Sequence, residues 1–255
     1  MMTWKCMVTR MSNPPRASVT GKTALVTGGA KRIGRAIALR LAAEGARVAI
    51  HYNTSRDEAE RTAADCGGAE LFEANLESVP SIEAMFRQID ERLGGLDFLV
   101  NNAARFTQFD PLNITEADWD FVHSVNLKAT FFCAQQAARR MLKRGAGRIV
   151  NISSMGGIRP WADHAHYCSS KAGVIMLTKS LSKAWAPQIT VNSVAPGVIA
   201  FGEEIEPAVA ALVRATPAKR HGTGPELADA VLYFLECPDF ITGQVLAVDG
   251  GLTLR

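Results

Sequence analysis

The stretch TGGAKRIGRAI, residues 27–37, decides the fold, and it directly follows the apolar run at 23–26. A glycine-bearing turn between a short strand and an Ala/Leu-rich helix is built to cradle phosphate. Amide N–H groups at a helix N-terminus favour an anion, and glycine lets the backbone approach it closely. Lys31 and Arg32 add two cations at the positive end of the helix dipole. Either they are solvated residues of a first helical turn, or a ligand with extra negative charge compensates them.

Outward from this turn, short β-rich runs alternate with longer segments of helical period, the pattern of a parallel sheet covered by helices on both faces. Strands are predicted at 23–27, 46–52, 69–75, 96–102, 147–153, 189–196 and 244–250. Helices are predicted at 32–44, 56–65, 79–93, 116–143, 164–185 and 225–236. Gly45, Gly94 and Gly95 fall where helix C-caps belong, and Ser78, Thr115 and Gly224 near helix starts. The expectation is one α/β domain over residues 21–255, a doubly wound parallel sheet of about seven strands. No element is assigned over 198–220.

Residues 1–20 are basic, lack Asp and Glu, and contain Asn13-Pro14-Pro15. They read as a disordered extension, with Met11 as a possible start, or as an organelle-targeting peptide. A net charge of +3 over 255 residues argues against nucleic acid or a membrane surface as the main partner. Cys6, Cys66, Cys133, Cys168 and Cys237 are far apart and odd in number, which fits free thiols in a reducing compartment. No apolar run approaches the roughly 20 residues that cross a bilayer. A soluble cytoplasmic protein is expected.

The end of the second strand distinguishes between dinucleotides. An NAD site places Asp or Glu there to hold the ribose hydroxyls. This chain reads AIHYNTSR, with no acid before Asp57, and His51, Asn53, Thr54, Ser55 and Arg56 offer donors instead. NADPH is implied, and Lys31 and Arg32 are then contacts for its phosphates.

Tyr167 and Lys171 are four residues apart, on one face of the predicted helix. An ammonium near a phenol favours phenolate and lowers its ordinary pKa of about 10. Ser154, at the end of the fifth strand, supplies a hydroxyl to orient a carbonyl or imine while the phenol protonates it and nicotinamide delivers hydride.

The ordered set TGxxxRxG (27–34), NNA (101–103), VNLKATFF (125–132), GRIVNISS (147–154), YCSSK (167–171), NSVAPG (192–197) and ITGQVLAVDGG (241–251) resembles the short-chain dehydrogenase/reductase family. The resemblance covers nearly the whole chain after residue 20. It implies a Rossmann-type fold in which Tyr167 is the acid, Lys171 lowers its pKa and holds the nicotinamide ribose, Ser154 orients substrate, and Asn126 carries a proton-relay water. Cofactor contacts are expected at Gly28, Lys31, Arg32, Ile33, Gly34, His51, Tyr52, Asn53, Thr54, Ser55, Asn75, Leu76, Asn102, Ala103, Tyr167, Lys171, Pro196, Gly197 and Ile199.

Within that family Arg32 in place of the middle glycine, the HYNTS strand end, NNAARF and PGVIAFGEE resemble bacterial pteridine reductases. By that resemblance Arg32 touches cofactor and pterin, Phe106 stacks on the pterin, and Phe201 and Glu203 line the pocket mouth. Ser154 departs from the pattern, because those enzymes commonly carry aspartate there and general carbonyl reductases carry serine. Three readings follow: a dihydropterin or dihydrofolate reductase, a general carbonyl or 3-oxoacyl reductase, and a non-catalytic NADPH sensor. The family also implies a homotetramer paired through 116–143, 164–185 and the C-terminal strand.

The remaining candidates carry simpler expectations. His164 and His166 diverge on a helix, so they read as capping or solvent-facing residues and no metal site is expected. Trp161 and Trp185 read as residues of a substrate pocket or, by preference, of a subunit interface, and Phe131 and Phe132 as core. Arg139, Arg140, Lys143 and Arg144 are explained by a helix C-terminus. Without the family resemblance, Asn126 reads equally as a buried amide satisfying backbone groups.

Overall fold

The computed structural model describes residues 17–202 and 207–254. Among them, seven strands form one parallel sheet in the order β3-β2-β1-β4-β5-β6-β7. The strands are β1 (Thr23–Val26), β2 (Arg47–Tyr52), β3 (Glu70–Glu73), β4 (Phe98–Asn101), β5 (Gly147–Ile152), β6 (Ile189–Pro196) and β7 (Val245–Val248). Chain order reverses between β1 and β4, and the crevice at such a switch point is where an open α/β sheet binds ligand.

Burial on both faces explains why the strands read as nearly continuous apolar runs. In β1, Ala24 and Val26 join the cluster formed with α1 (Arg32–Ala43), α2 (Arg56–Asp65) and α8 (Gly224–Glu236). Leu25 points the other way, into the cluster with α3 (Val79–Leu93), α5 (Thr130–Arg144) and α6 (Ala165–Trp185). Side chains of this size contribute about 1.5–3 kcal/mol each when fully buried, so two-sided packing supplies most of the stabilisation.

Polar punctuation sets the helix ends. Ser78 caps α3 by accepting from the Ser81 N–H, and Gly94 ends that helix at φ 74°. Thr115 with Asp118, and Thr223 with Glu226, form capping boxes at α4 (Glu116–His123) and α8. Thr223 therefore caps α8, and Gly224 is its first helical residue.

Three features differ from the sequence expectations. The predicted helix 116–143 is α4 and α5 joined by a π-helical turn, Ser124–Ala129. Helix α7 (Pro207–Ala215) lies within the unassigned 198–220 segment. Of the extension, residues 1–16 lie outside the described residues, whereas Val19 is fully buried and Thr20 donates to the Glu44 carbonyl. No described helix is long and apolar enough to cross a membrane.

Candidate active site

A cavity of about 530 Å³ opens at the carboxyl ends of β1, β4, β5 and β6. The first turn forms one side. Thr27 Oγ1 accepts the N–H groups of Asn102 and Ala103, and Asn102 Nδ2 donates to the Thr27 and Gly28 carbonyls. Gly28 has φ 61°, and a Cβ there would lie 3.0 Å from Ala103 Cα. At Gly34 a Cβ would fall 2.1 Å from the Gly28 carbonyl oxygen. The turn thus brings bare backbone to the cavity, as a phosphate cradle requires. Arg32 holds φ 51°, a conformation uncommon outside glycine.

The described lining carries Lys31, Arg32, Arg105 and Lys171 and no carboxylate, so its field favours an anion. Ile33, Asn53, Asn75, Leu76, Asn102, Ala103, Pro196, Gly197, Ile199 and Phe201 also line it. Asn75 Oδ1 already accepts the Glu77 N–H. Tyr52, Thr54 and Ser55 are absent from the wall. Tyr52 is buried, and its hydroxyl donates to Glu73. His51 lines the cavity, but it is 2% exposed and both ring nitrogens are engaged within the fold, which leaves its ring no N–H for a phosphate. Glu203 lies outside the described residues.

The reacting corner is built from β5 and α6. Ser154 follows β5, its Oγ accepts the Gly156 N–H at 3.0 Å, and it lines the cavity together with Tyr167. One helical turn beyond Tyr167, Lys171 is buried, and its Nζ donates to the Ile152 carbonyl at 2.9 Å. Nζ lies 5.9 Å from the Tyr167 ring centroid. Burial pulls the lysine down to about 8. Burial also pushes the tyrosine up to about 12, although the Ser154 hydroxyl opposes this. Burial is the largest influence on the phenol, and Lys171 is not among the groups that shift it.

This fixes a pH dependence. The phenol keeps its proton to about 12, so the first alkaline group to titrate is Lys171, whose ammonium is present below about 8 and lost above it. The ammonium favours the phenolate formed as Tyr167 gives up its proton. The rate of carbonyl reduction is expected to fall as pH rises through about 8, read from kcat against pH. A profile flat to pH 10 contradicts the assignment.

Asn126 is not part of the lining. Its Nδ2 donates to the Arg105 carbonyl and to Ser170 Oγ, and its Oδ1 accepts the Arg105 N–H at 2.7 Å. The π-helical turn brings this amide to the loop, and its side chain serves backbone groups.

Aromatic residues form the outer wall. Phe106 is 58% exposed, with its centroid 4.9 Å from His164, stacked, and 4.8 Å from Tyr167, edge-on. Trp161, expected by preference at a subunit interface, lines the cavity instead and lies parallel to Tyr167 at 6.2 Å. Trp185 packs against the second core cluster, as do Phe131 and Phe132. His164 stands at the N-cap position of α6, as a capping residue would, and both it and His166 are buried rather than solvent-facing. His166 Nε2 meets Thr107 Oγ1 at 2.6 Å, anchoring the loop that carries Phe106. No metal-ligand cluster occurs among the described residues. Arg140 pairs with Asp90 and Arg144 with Asp97, interactions beyond the helix dipole.

A family model described as enoyl-(acyl carrier protein) reductase matches residues 28–253. The chain belongs to the short-chain dehydrogenase/reductase family. Its members are NAD(P)-dependent oxidoreductases, and the seven-stranded sheet with its crevice is the fold of this dehydrogenase/reductase. It is 39% identical to nodulation protein G of Rhizobium sp. (strain N33) over 242 residues, covering 92% of this chain and 98% of that protein. It is 37% identical to the 3-oxoacyl-[acyl-carrier-protein] reductase FabG of Staphylococcus aureus, over 91% of this chain and 98% of that protein. Among solved structures, a gluconate 5-dehydrogenase from Burkholderia cenocepacia J2315, in complex with NADP and tartrate, aligns with TM-score 0.88 at 33% identity. That alignment covers 93% of this chain and 97% of the other.

Sequence reasoning on this dehydrogenase/reductase missed Arg105 as a wall residue and ranked the pocket second for Trp161. A tryptophan four residues before the start of α6 was a usable signal for Trp161. Nothing in the local sequence marked Arg105.

Proposed function

We propose that this chain is an NADPH-dependent reductase of ketones, of the general carbonyl or 3-oxoacyl class. The observation that carries this reading is the Ser154 hydroxyl and the Tyr167 phenol lining one cavity, with the buried Lys171 ammonium one helical turn beyond the phenol. A serine beside the phenol presents two neutral donors to one oxygen, the arrangement a carbonyl needs. The named relatives, which include 3-oxoacyl reductases, support the same class.

When bound, the nicotinamide supplies hydride to the carbonyl carbon. Tyr167 gives its proton to the carbonyl oxygen, which Ser154 holds by a hydrogen bond, so the product is the alcohol. Lys171 stabilises the phenolate left behind until solvent returns a proton. The cationic, carboxylate-free lining supports NADPH over NADH, because an acid near the ribose repels a 2′-phosphate.

A second reading, a dihydropterin or dihydrofolate, is favoured by the largely exposed Phe106 ring beside Tyr167, a face on which a flat heterocycle can stack. Ser154 weighs against it, since a hydroxyl is a poor acid for a ring nitrogen. The test is NADPH consumption with 3-oxoacyl thioesters, simple ketones and dihydropterins, repeated with NADH. Turnover of the first two groups, at least about tenfold better with NADPH, is expected from a single charge-assisted phosphate contact. Turnover of dihydropterin alone overturns the ketone reading, and equal use of NADH overturns the NADPH reading.

Trp119, Phe121 and Met176 remain exposed on α4 and α6. These are the helices through which we propose that copies of the chain associate.

A further inference from the structure

His51 is the most completely used side chain next to the cofactor turn, and the reaction does not need it. The Gly28 N–H donates to its Nδ1 at 3.0 Å. A backbone amide can only donate, so Nδ1 carries no proton and the ring is the Nε2–H tautomer. That N–H donates to the Ala74 carbonyl at 3.0 Å, just past β3. The His51 main-chain carbonyl accepts the Gly29 N–H, also at 3.0 Å.

One residue of β2 therefore takes both glycine amides of the turn, while Asn102 holds the Thr27 and Gly28 carbonyls from the β4 side. With those two amides consumed, the N–H groups left to face an anion are those of the first turn of α1. Their direction depends on where Gly28 and Gly29 are held. Gly28 sits at φ 61°, a conformation glycine can leave at little energetic cost unless something fixes it.

We propose that His51 is a positioning residue for dinucleotide binding: its Nδ1 accepts the Gly28 N–H and so fixes the glycine turn with its remaining amides ready for the cofactor phosphates, while the Nε2–H on the Ala74 carbonyl only orients the ring. The proposal rests on the NADPH reading above. It assigns His51 no contact with substrate or with the reacting atoms.

The test uses the full-length protein with His51→Gln and His51→Asn, titrated with NADPH. In the asparagine variant Oδ1 occupies the place of Nδ1 and still accepts the Gly28 N–H. In the glutamine variant the terminal amide reaches toward Ala74 and that acceptor is lost. His51→Gln is expected to raise the Kd and KM for NADPH roughly tenfold, the effect of one unmade hydrogen bond, with kcat changed less than about twofold. His51→Asn is expected to stay within about twofold of the parent protein. Glutamine binding as tightly as histidine, or asparagine as weakly as glutamine, overturns the proposal.

Amide hydrogen exchange at Gly28 in the unsubstituted protein gives a second reading that needs no variant. Slow exchange without cofactor is expected, and exchange at the rate of an open loop overturns the fixing of Gly28 by His51. Failure of the parent protein to bind NADPH sinks the cofactor reading instead, and the exchange rate still judges His51.

Discussion

Tyr167→Phe is expected to lower kcat about a thousandfold, within the 10²–10⁴ range of a lost general acid, while leaving fold and NADPH affinity unchanged. The substitution removes one oxygen from a side chain that lines the cavity. The ring contacts survive, since phenylalanine keeps the edge-on approach to Phe106 and the parallel approach to Trp161. No neighbour can replace the proton donor. Ser154 has no reason to be acidic, and Lys171 Nζ is turned to the Ile152 carbonyl. Steady-state kinetics with an NADPH titration checks this, and a kcat within tenfold of the parent moves the acid elsewhere.

Gly34→Ala is expected to have the largest effect on the cofactor site. Its Cβ would lie 2.1 Å from the Gly28 oxygen, 2.8 Å from the Gly28 carbonyl carbon and 2.7 Å from Asn102 Nδ2. Two of those atoms are backbone, and Gly28 is held from opposite sides by His51 and Asn102. The turn must therefore open or α1 must shift against its partner α8. A loss of roughly 3 kcal/mol in stability, the upper end for overpacking, is expected, with NADPH affinity weakened about a hundredfold by the displaced amides. Thermal unfolding and an NADPH titration check the two parts separately. An alanine variant with parental stability and affinity contradicts the close approach at Gly34.

The parts of the molecule legible in the sequence are those written in local periodicity. Buried strands such as TALV and the i, i+4 pair of Tyr167 and Lys171 carry their structure in their spacing. The turn at residues 27–34 was legible for the same reason, a glycine pattern between a strand and a helix. The π-helical turn at Ser124–Ala129 was not, because it depends on Asn126 reaching a loop twenty-one residues away in sequence. His51 illustrates the limit most clearly. A histidine at a strand end reads as a donor to ligand, and only the neighbouring β1 turn and β3 show that both nitrogens are taken. The upward shift of Tyr167 was not legible either, because it comes from depth of burial, which spacing does not encode. Substrate class was the least legible part, since Arg32 and Phe106 point one way and Ser154 the other.

The central claim is that hydride passes to a carbonyl carbon in the crevice beside Tyr167. It is tested most directly by supplying NADPH deuterated at the transferable C4 position together with a 3-oxoacyl thioester, and locating the label in the product. Deuterium on the carbinol carbon of a 3-hydroxyacyl thioester is the predicted result. Oxidation of the nucleotide without label in that product, or no oxidation with any carbonyl offered, contradicts it.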